Sequence, residues 1–470
     1  MNVFVLAVRN VRRNCKDYSV YFLTIILGVS MFYIFNSIGS QRVMFAGAQD
    51  EAIATVGIER LMDGLSVFVA AVLGFLILYA NAFLIRRRKQ ELGLCILLGM
   101  KKGRISAVLI CETFLIGLLS LAAGLALGVF LSQGMALVTA KMLGVSVSHY
   151  AFVFSGTALT KSTCYFGTAF FIVILFHTVH VSRQKLLHLL YAGERKVCLA
   201  AMPLWTSVLL FCVSAAMLLV SYGMILNVGI VGASSEGRTK IQTVSMLMGT
   251  AGTFLFFFSL SGFFLKLVSG MKGVYFKDLN LLTVKQLNRN IHAAWISMSF
   301  LCLLLFLALS AISAGSSLSA AIREYRSDEV PVAAGVSYMT VYLGMTFLLT
   351  CASILAIGQL SEASDHQERY RLLSKLGANE RMIAGSVLRQ VLITFSAPLA
   401  LAVVHWLVAM KLVSGLVEVL GDFHLFSRSL TAGAVILLLY GGYLMMTYQN
   451  AKKIILNALQ NRLDGRRCHR

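Results

Sequence analysis

Glu112, Arg389 and His405 are ionisable residues that stand inside otherwise apolar runs. A charge in such a run marks a transport pathway or a buried pair. Glu112 lies close to the basic cluster Lys101, Lys102 and Arg104, and can pair with it or with Arg389 at the start of a later apolar run. His405, alone in mid-run, reads as a hydrogen-bonded packing residue or as part of a transport path. His177 and His180 share a helix face by their spacing, but a zinc site wants three or four ligands. Nine cysteines contain no CxxC pair, which argues against a zinc site and a disulfide framework. There is no Ser-His-Asp, Cys-His or paired-carboxylate arrangement, and no GxxxxGK[ST] phosphate loop. The expectation is therefore no catalytic residue, no metal and no cofactor in this chain, and not an enzyme.

The elements that carry these residues follow from composition. Hydrophobic residues make up 58% of the 470 and charged residues only 13%, against about 25% charged in soluble domains. Disorder and a nucleic-acid partner are both excluded: the net charge of +21 sits beside long apolar runs, so the bilayer is the partner it fits. Segments of about 20 apolar residues are long enough to span. Ten qualify, near 18–38, 64–85, 106–138, 162–181, 204–227, 242–265, 294–314, 338–360, 387–410 and 430–450. The first is too long for the apolar core of a cleaved signal and reads as a retained span. With a cytosolic N-terminus, the inside segments hold 30 Lys and Arg and the outside segments 10. That bias puts both termini in the cytosol. The fold class expected is an all-α integral membrane protein of about ten helices.

The chain repeats itself. Leu6–Asn14 before span 1 matches Leu282–Asn290 before span 7, at an offset of 276. Arg86–Met100 after span 2 matches Asp365–Ala378 after span 8, with Gly99 aligned to Gly377 and Glu112 to Gln390 at an offset of 278. Two related four-helix units, 1–200 and 276–470, thus flank a central helix pair, 201–275. Both units start inside, so the repeat is parallel rather than inverted, which disfavours an ion-coupled secondary transporter. Each matched elbow opens with charges, continues as a helix-prone run and ends in Leu-Gly, where glycine can close a helix in the left-handed conformation. The expected geometry is a short helix along the cytosolic surface that inserts into a partner. The bland alternative is an ordinary basic loop obeying the orientation rule.

Glu91-Leu-Gly with Leu98-Gly-Met100, Gln359–Arg371 with Lys375-Leu-Gly377, Leu281–Ile291 with Trp295–Ser299, and Tyr440–Leu444 together resemble the FtsX-like ABC permeases, more narrowly those of bacitracin-export (BceB-like) type. The resemblance runs over nearly the whole chain in the right order. It implies a type VII ABC system in which a cytosolic ATPase dimer, binding ATP and Mg, drives the membrane helices. It implies ATPase coupling through Arg88, Glu91, Gly93, Leu98, Gly99, Glu368, Arg371, Leu376 and Gly377. Family members protect cells from antimicrobial peptides that target lipid-linked wall precursors, and many signal to a membrane histidine kinase. The family places a large extracellular domain between spans 7 and 8, where this chain has only a loop of about twenty residues, Gly315–Ser337. The location implied is the bacterial plasma membrane. The competing reading is an FtsX-type signal relay to an envelope partner without substrate transport.

Overall fold

A computed structural model describes residues 3–13, 15–37, 51–143, 154–183, 203–228, 235–270, 279–325, 330–418 and 425–467. Every element among them is helical: α1 (Val3–Arg13), α2 (Cys15–Ser37), α3 (Glu51–Leu97), α4 (Lys102–Leu143), α5 (Gly156–Arg183), α6 (Leu204–Val228), α7 (Ser235–Gly270), α8 (Asn280–Tyr325), α9 (Val330–Asp365), α10 (Gln367–Lys375), α11 (Glu380–Glu418) and α12 (Leu425–Arg467). The protein is an all-α integral membrane protein. Eight stretches among the described residues are long and apolar enough to cross a bilayer: Met62–Asn81, Gly103–Gly134, Gly156–Leu175, Trp205–Asn227, Lys240–Leu260, Ala294–Ser317, Met339–Asp365 and Glu380–Lys411. They coincide with expected spans 2–9; the first falls on the shorter apolar helix Phe22–Ser37, and the tenth lies in α12.

Helices run well past the hydrocarbon thickness. The 47 residues of α3 extend about 70 Å at 1.5 Å per residue, against a core of about 30 Å. Two expectations are corrected by this length. The loop expected over Gly315–Ser337 is mostly helix, since α8 continues to Tyr325 and α9 begins at Val330. In addition, the first elbow has no separate surface helix. Residues 82–92 are helix formers without Gly or Pro, so α3 propagates unbroken to Leu97. In the second copy Ser361, Ser364, Asp365 and His366 compete poorly for helix. The chain turns at His366 (φ −95°, ψ 0°), and the nine-residue α10 stands as its own element.

Packing divides the chain into two compact units, 1–197 with 314–357, and 198–313 with 358–470. In the first, α4 lies against α2 and α5 at backbone-limited distance. A Cβ on Gly124 would meet Val29 Cβ at 2.6 Å, on Gly128 Tyr33 Cβ at 3.0 Å, and on Gly117 the Phe170 ring at 2.9 Å. Small residues allow this approach, and apolar van der Waals packing then holds helices together within lipid. Phe32 fills the seam, edge-on to Tyr165 and Phe166. Lys161 of α5 is ion-paired with Asp63 of α3. In the second unit α6 and α7 form a tight pair, where Ser221 Oγ donates to Ser245 O at 2.8 Å. There α11 and α12 are joined by Tyr440, whose hydroxyl donates to Phe395 O at 3.0 Å.

Candidate functional site

Both elbows close with the same hydrogen bonds. In the first, Gly99 N–H donates to Ile96 O (3.0 Å) and Met100 N–H to Cys95 O (3.0 Å). In the second, Gly377 N–H donates to Ser374 O (3.1 Å) and Ala378 N–H to Leu373 O (3.0 Å). This is the Schellman motif, which satisfies the last helical carbonyls and needs a residue at positive φ. Gly99 (φ +88°) and Gly377 (φ +99°) supply it.

Each elbow has an inner and an outer side. On the first, Cys95, Ile96 and Met100 pack on Ile105 and Leu109 of α4, while Leu94, Leu97 and Leu98 face outward, Leu98 at 85% exposure. On the second, Tyr370 is buried and Leu372 and Leu376 face outward, Leu376 at 83% exposure. Of the other residues singled out from the sequence, Gly93 is buried, Glu368 exposed and Arg371 half-buried. The side chains of Arg88 and Glu91, and those of His177 and His180, lie outside the described residues.

In each compact unit a residue of an earlier helix reaches a charged residue near the start of a long apolar helix, α4 or α11. In the first unit Asn10 Nδ2 of α1 donates to Glu112 Oε1 at 2.9 Å. The carboxylate is 2% exposed. In the second unit the Arg389 guanidinium donates to Asn280 Oδ1 of α8. Each charged residue thus takes an amide partner from the preceding segment, a partner 102 or 109 residues away. Sequence distance hid that pairing.

A second group ties α10, α11 and α8. Tyr370 Oη lies 3.1 Å from Ser386 Oγ, and Ser386 Oγ lies 2.7 Å from Thr283 Oγ1. Burial pushes the Tyr370 phenol above its ordinary value, opposed by its bond to Ser386 and assisted by Glu362. The hydroxyl therefore keeps its proton. Sequence reasoning missed all three residues, because isolated hydroxyls in a helix carry no pairing signal.

His405 is satisfied at both nitrogens. Thr253 Oγ1 donates to Gly249 O at 2.8 Å, so it accepts from His405 Nε2 at 3.0 Å. Nδ1 then accepts from Tyr222 Oη at 2.5 Å. A hydroxyl has one proton to give, and this fixes the neutral tautomer. The imidazole joins α11 to the α6–α7 pair, with Phe306 packed edge-on at 5.7 Å. No group of three or more His, Cys, Asp or Glu among the described residues could hold a metal.

Eight apolar spans and two capped elbows among the described residues make a multi-pass membrane architecture, and comparison shows what it resembles. Residues 64–180 match the family described as FtsX-like permease C-terminal. The chain carries an FtsX-like permease domain that takes in most of α3, the first elbow, α4 and most of α5. It is homologous to the bacitracin export permease protein BceB of Bacillus subtilis (strain 168), 26% identical over 352 residues, 72% of this chain and 51% of that relative. It is similar to the ABC transporter permease protein YxdM of the same organism, 27% identical over 61% of this chain and 43% of that protein. An uncharacterized ABC transporter permease of that organism, YvcS, is 23% identical over 60% of this chain and 42% of its own length. The chain thus spans about half the length of the first relative and less of the others. It is a multi-pass protein of the bacterial plasma membrane.

Proposed function

We propose that this chain is the permease subunit of a type VII ABC transporter, driven at its two elbows by a separate cytosolic ATPase dimer that binds ATP and Mg. The work done is the handling of an antimicrobial peptide or a lipid-linked substrate at the membrane, in the manner suggested by the bacitracin export permease it resembles. The observation that carries the reading is the matched pair of Schellman-capped elbows, each presenting a leucine more than four-fifths exposed. The positive-inside bias supports a cytosolic position for both. An apolar knob on a rigid turn fits a groove on a partner and passes on its displacement, because interfaces take up discrete arrangements rather than deforming continuously.

Co-expression with a phosphate-loop ATPase tests the reading. Leu98→Glu with Leu376→Glu is expected to abolish co-purification of the ATPase while membrane insertion stays intact. Glu368→Lys is expected to abolish bacitracin resistance. Normal ATPase association in the double variant would refute coupling through these elbows. Normal association and turnover, with no resistance in the unaltered protein, would favour a signal relay, with a membrane histidine kinase as the partner to seek.

A further inference from the structure

The hydroxyl group behind the second elbow has a definite direction. Thr283 Oγ1 donates to Leu279 O at 3.0 Å, so its proton is spent and it accepts from Ser386. Ser386 has then used its own proton and accepts from Tyr370. The chain runs Tyr370 to Ser386 to Thr283 to the Leu279 carbonyl, with every hydroxyl proton placed. It crosses three helices, α10, α11 and α8, and its three side chains are at most 2% exposed. Water cannot substitute for a broken link without reopening the packing, so each link is held at full strength.

The repeat gives the first elbow no matching hydroxyls. By the offsets of the repeat, Tyr370, Ser386 and Thr283 correspond to Leu92, Val108 and Ala7, all apolar. The first elbow ends the continuous helix α3. The second is a nine-residue helix set off at His366; Gln367 at its start donates to Ile454 O of α12 at 3.4 Å, and the hydroxyl chain supplies its tie to α8.

We infer that Tyr370, Ser386 and Thr283 are positioning residues that lock the second elbow helix to the start of α8, so that its displacement is delivered into the Ala294–Ser317 span. The two elbows are then unequal: the first moves with its own span, and the second moves a neighbouring one. The lock itself is independent of the coupling function proposed above; its role in transport rests on that reading.

Amide hydrogen exchange on the purified full chain reads the lock directly. Tyr370→Phe and Ser386→Ala are each expected to speed exchange across both 367–376 and 279–287 by about three- to tenfold, the scale of one lost hydrogen bond. Segment 93–100 is expected to stay unchanged, and Thr283→Ser, which keeps the hydroxyl, to match the unaltered protein. Faster exchange confined to the substituted segment, or none, overturns the inference. In the complex with its ATPase, Tyr370→Phe is expected to keep co-purification and hydrolysis while bacitracin resistance falls about tenfold. A general loss of structure would lower all three together, and unchanged resistance would overturn the delivery of motion. Should the ATPase never associate with the unaltered chain, the coupling reading falls, and the exchange pattern still decides whether the lock exists.

Discussion

Replacing Gly377 by alanine isolates the conformational part of the elbow. An added Cβ at this position meets nothing within 4 Å, so no clash contributes. What remains is the backbone: φ is +99°, a conformation that costs an L-residue roughly 1–2 kcal/mol. The strain falls on the two capping bonds, Gly377 to Ser374 and Ala378 to Leu373. Opening of the elbow is then favoured by about 5- to 30-fold. Amide exchange across 372–380 in the purified chain measures this. Gly385→Ala in α11 is the control, because its Cβ is equally unobstructed and its backbone is helical. There alanine is expected to stabilise by about 0.5–1 kcal/mol. Asparagine at 377, which tolerates the left-handed region, is expected to fall between glycine and alanine. If Gly377→Ala proves as stable as Gly385→Ala, the Schellman geometry assigned to the elbow is wrong.

Further outcomes follow from the packing. Gly124→Ala forces a methyl to within 2.6 Å of Val29 Cβ; it is expected to cost about 1–3 kcal/mol, seen as a lower thermal midpoint in detergent. Glu112→Gln keeps an acceptor for Asn10 and is expected to be close to neutral, whereas Glu112→Leu is expected to lose about 1 kcal/mol by removing the acceptor of a part-buried amide. His405→Leu breaks the bonds to Tyr222 and Thr253; Thr253 keeps its bond to Gly249 O, so the cost falls mainly on the part-buried Tyr222 hydroxyl, a loss of about 1–3 kcal/mol is expected, and Tyr222→Phe is expected to recover part of it.

The sequence alone was enough for the class. Twenty-residue apolar runs leave helices as the economical way to satisfy backbone groups in a bilayer. The two Leu-Gly pairs also announced their own geometry, since a left-handed residue after a helix favours glycine, and both glycines adopt it. Local rules govern these features, so local sequence reveals them. The break at His366 and the continuity of α3 were harder to read, because the propensities involved differ by only tenths of a kcal/mol per residue. Only tertiary structure decided the partners: Asn10 for Glu112, Asn280 for Arg389, Tyr222 and Thr253 for His405, and Ser386 between Tyr370 and Thr283. A buried polar group takes whatever complementary group packing brings within 3 Å, and that neighbour can lie anywhere along the chain.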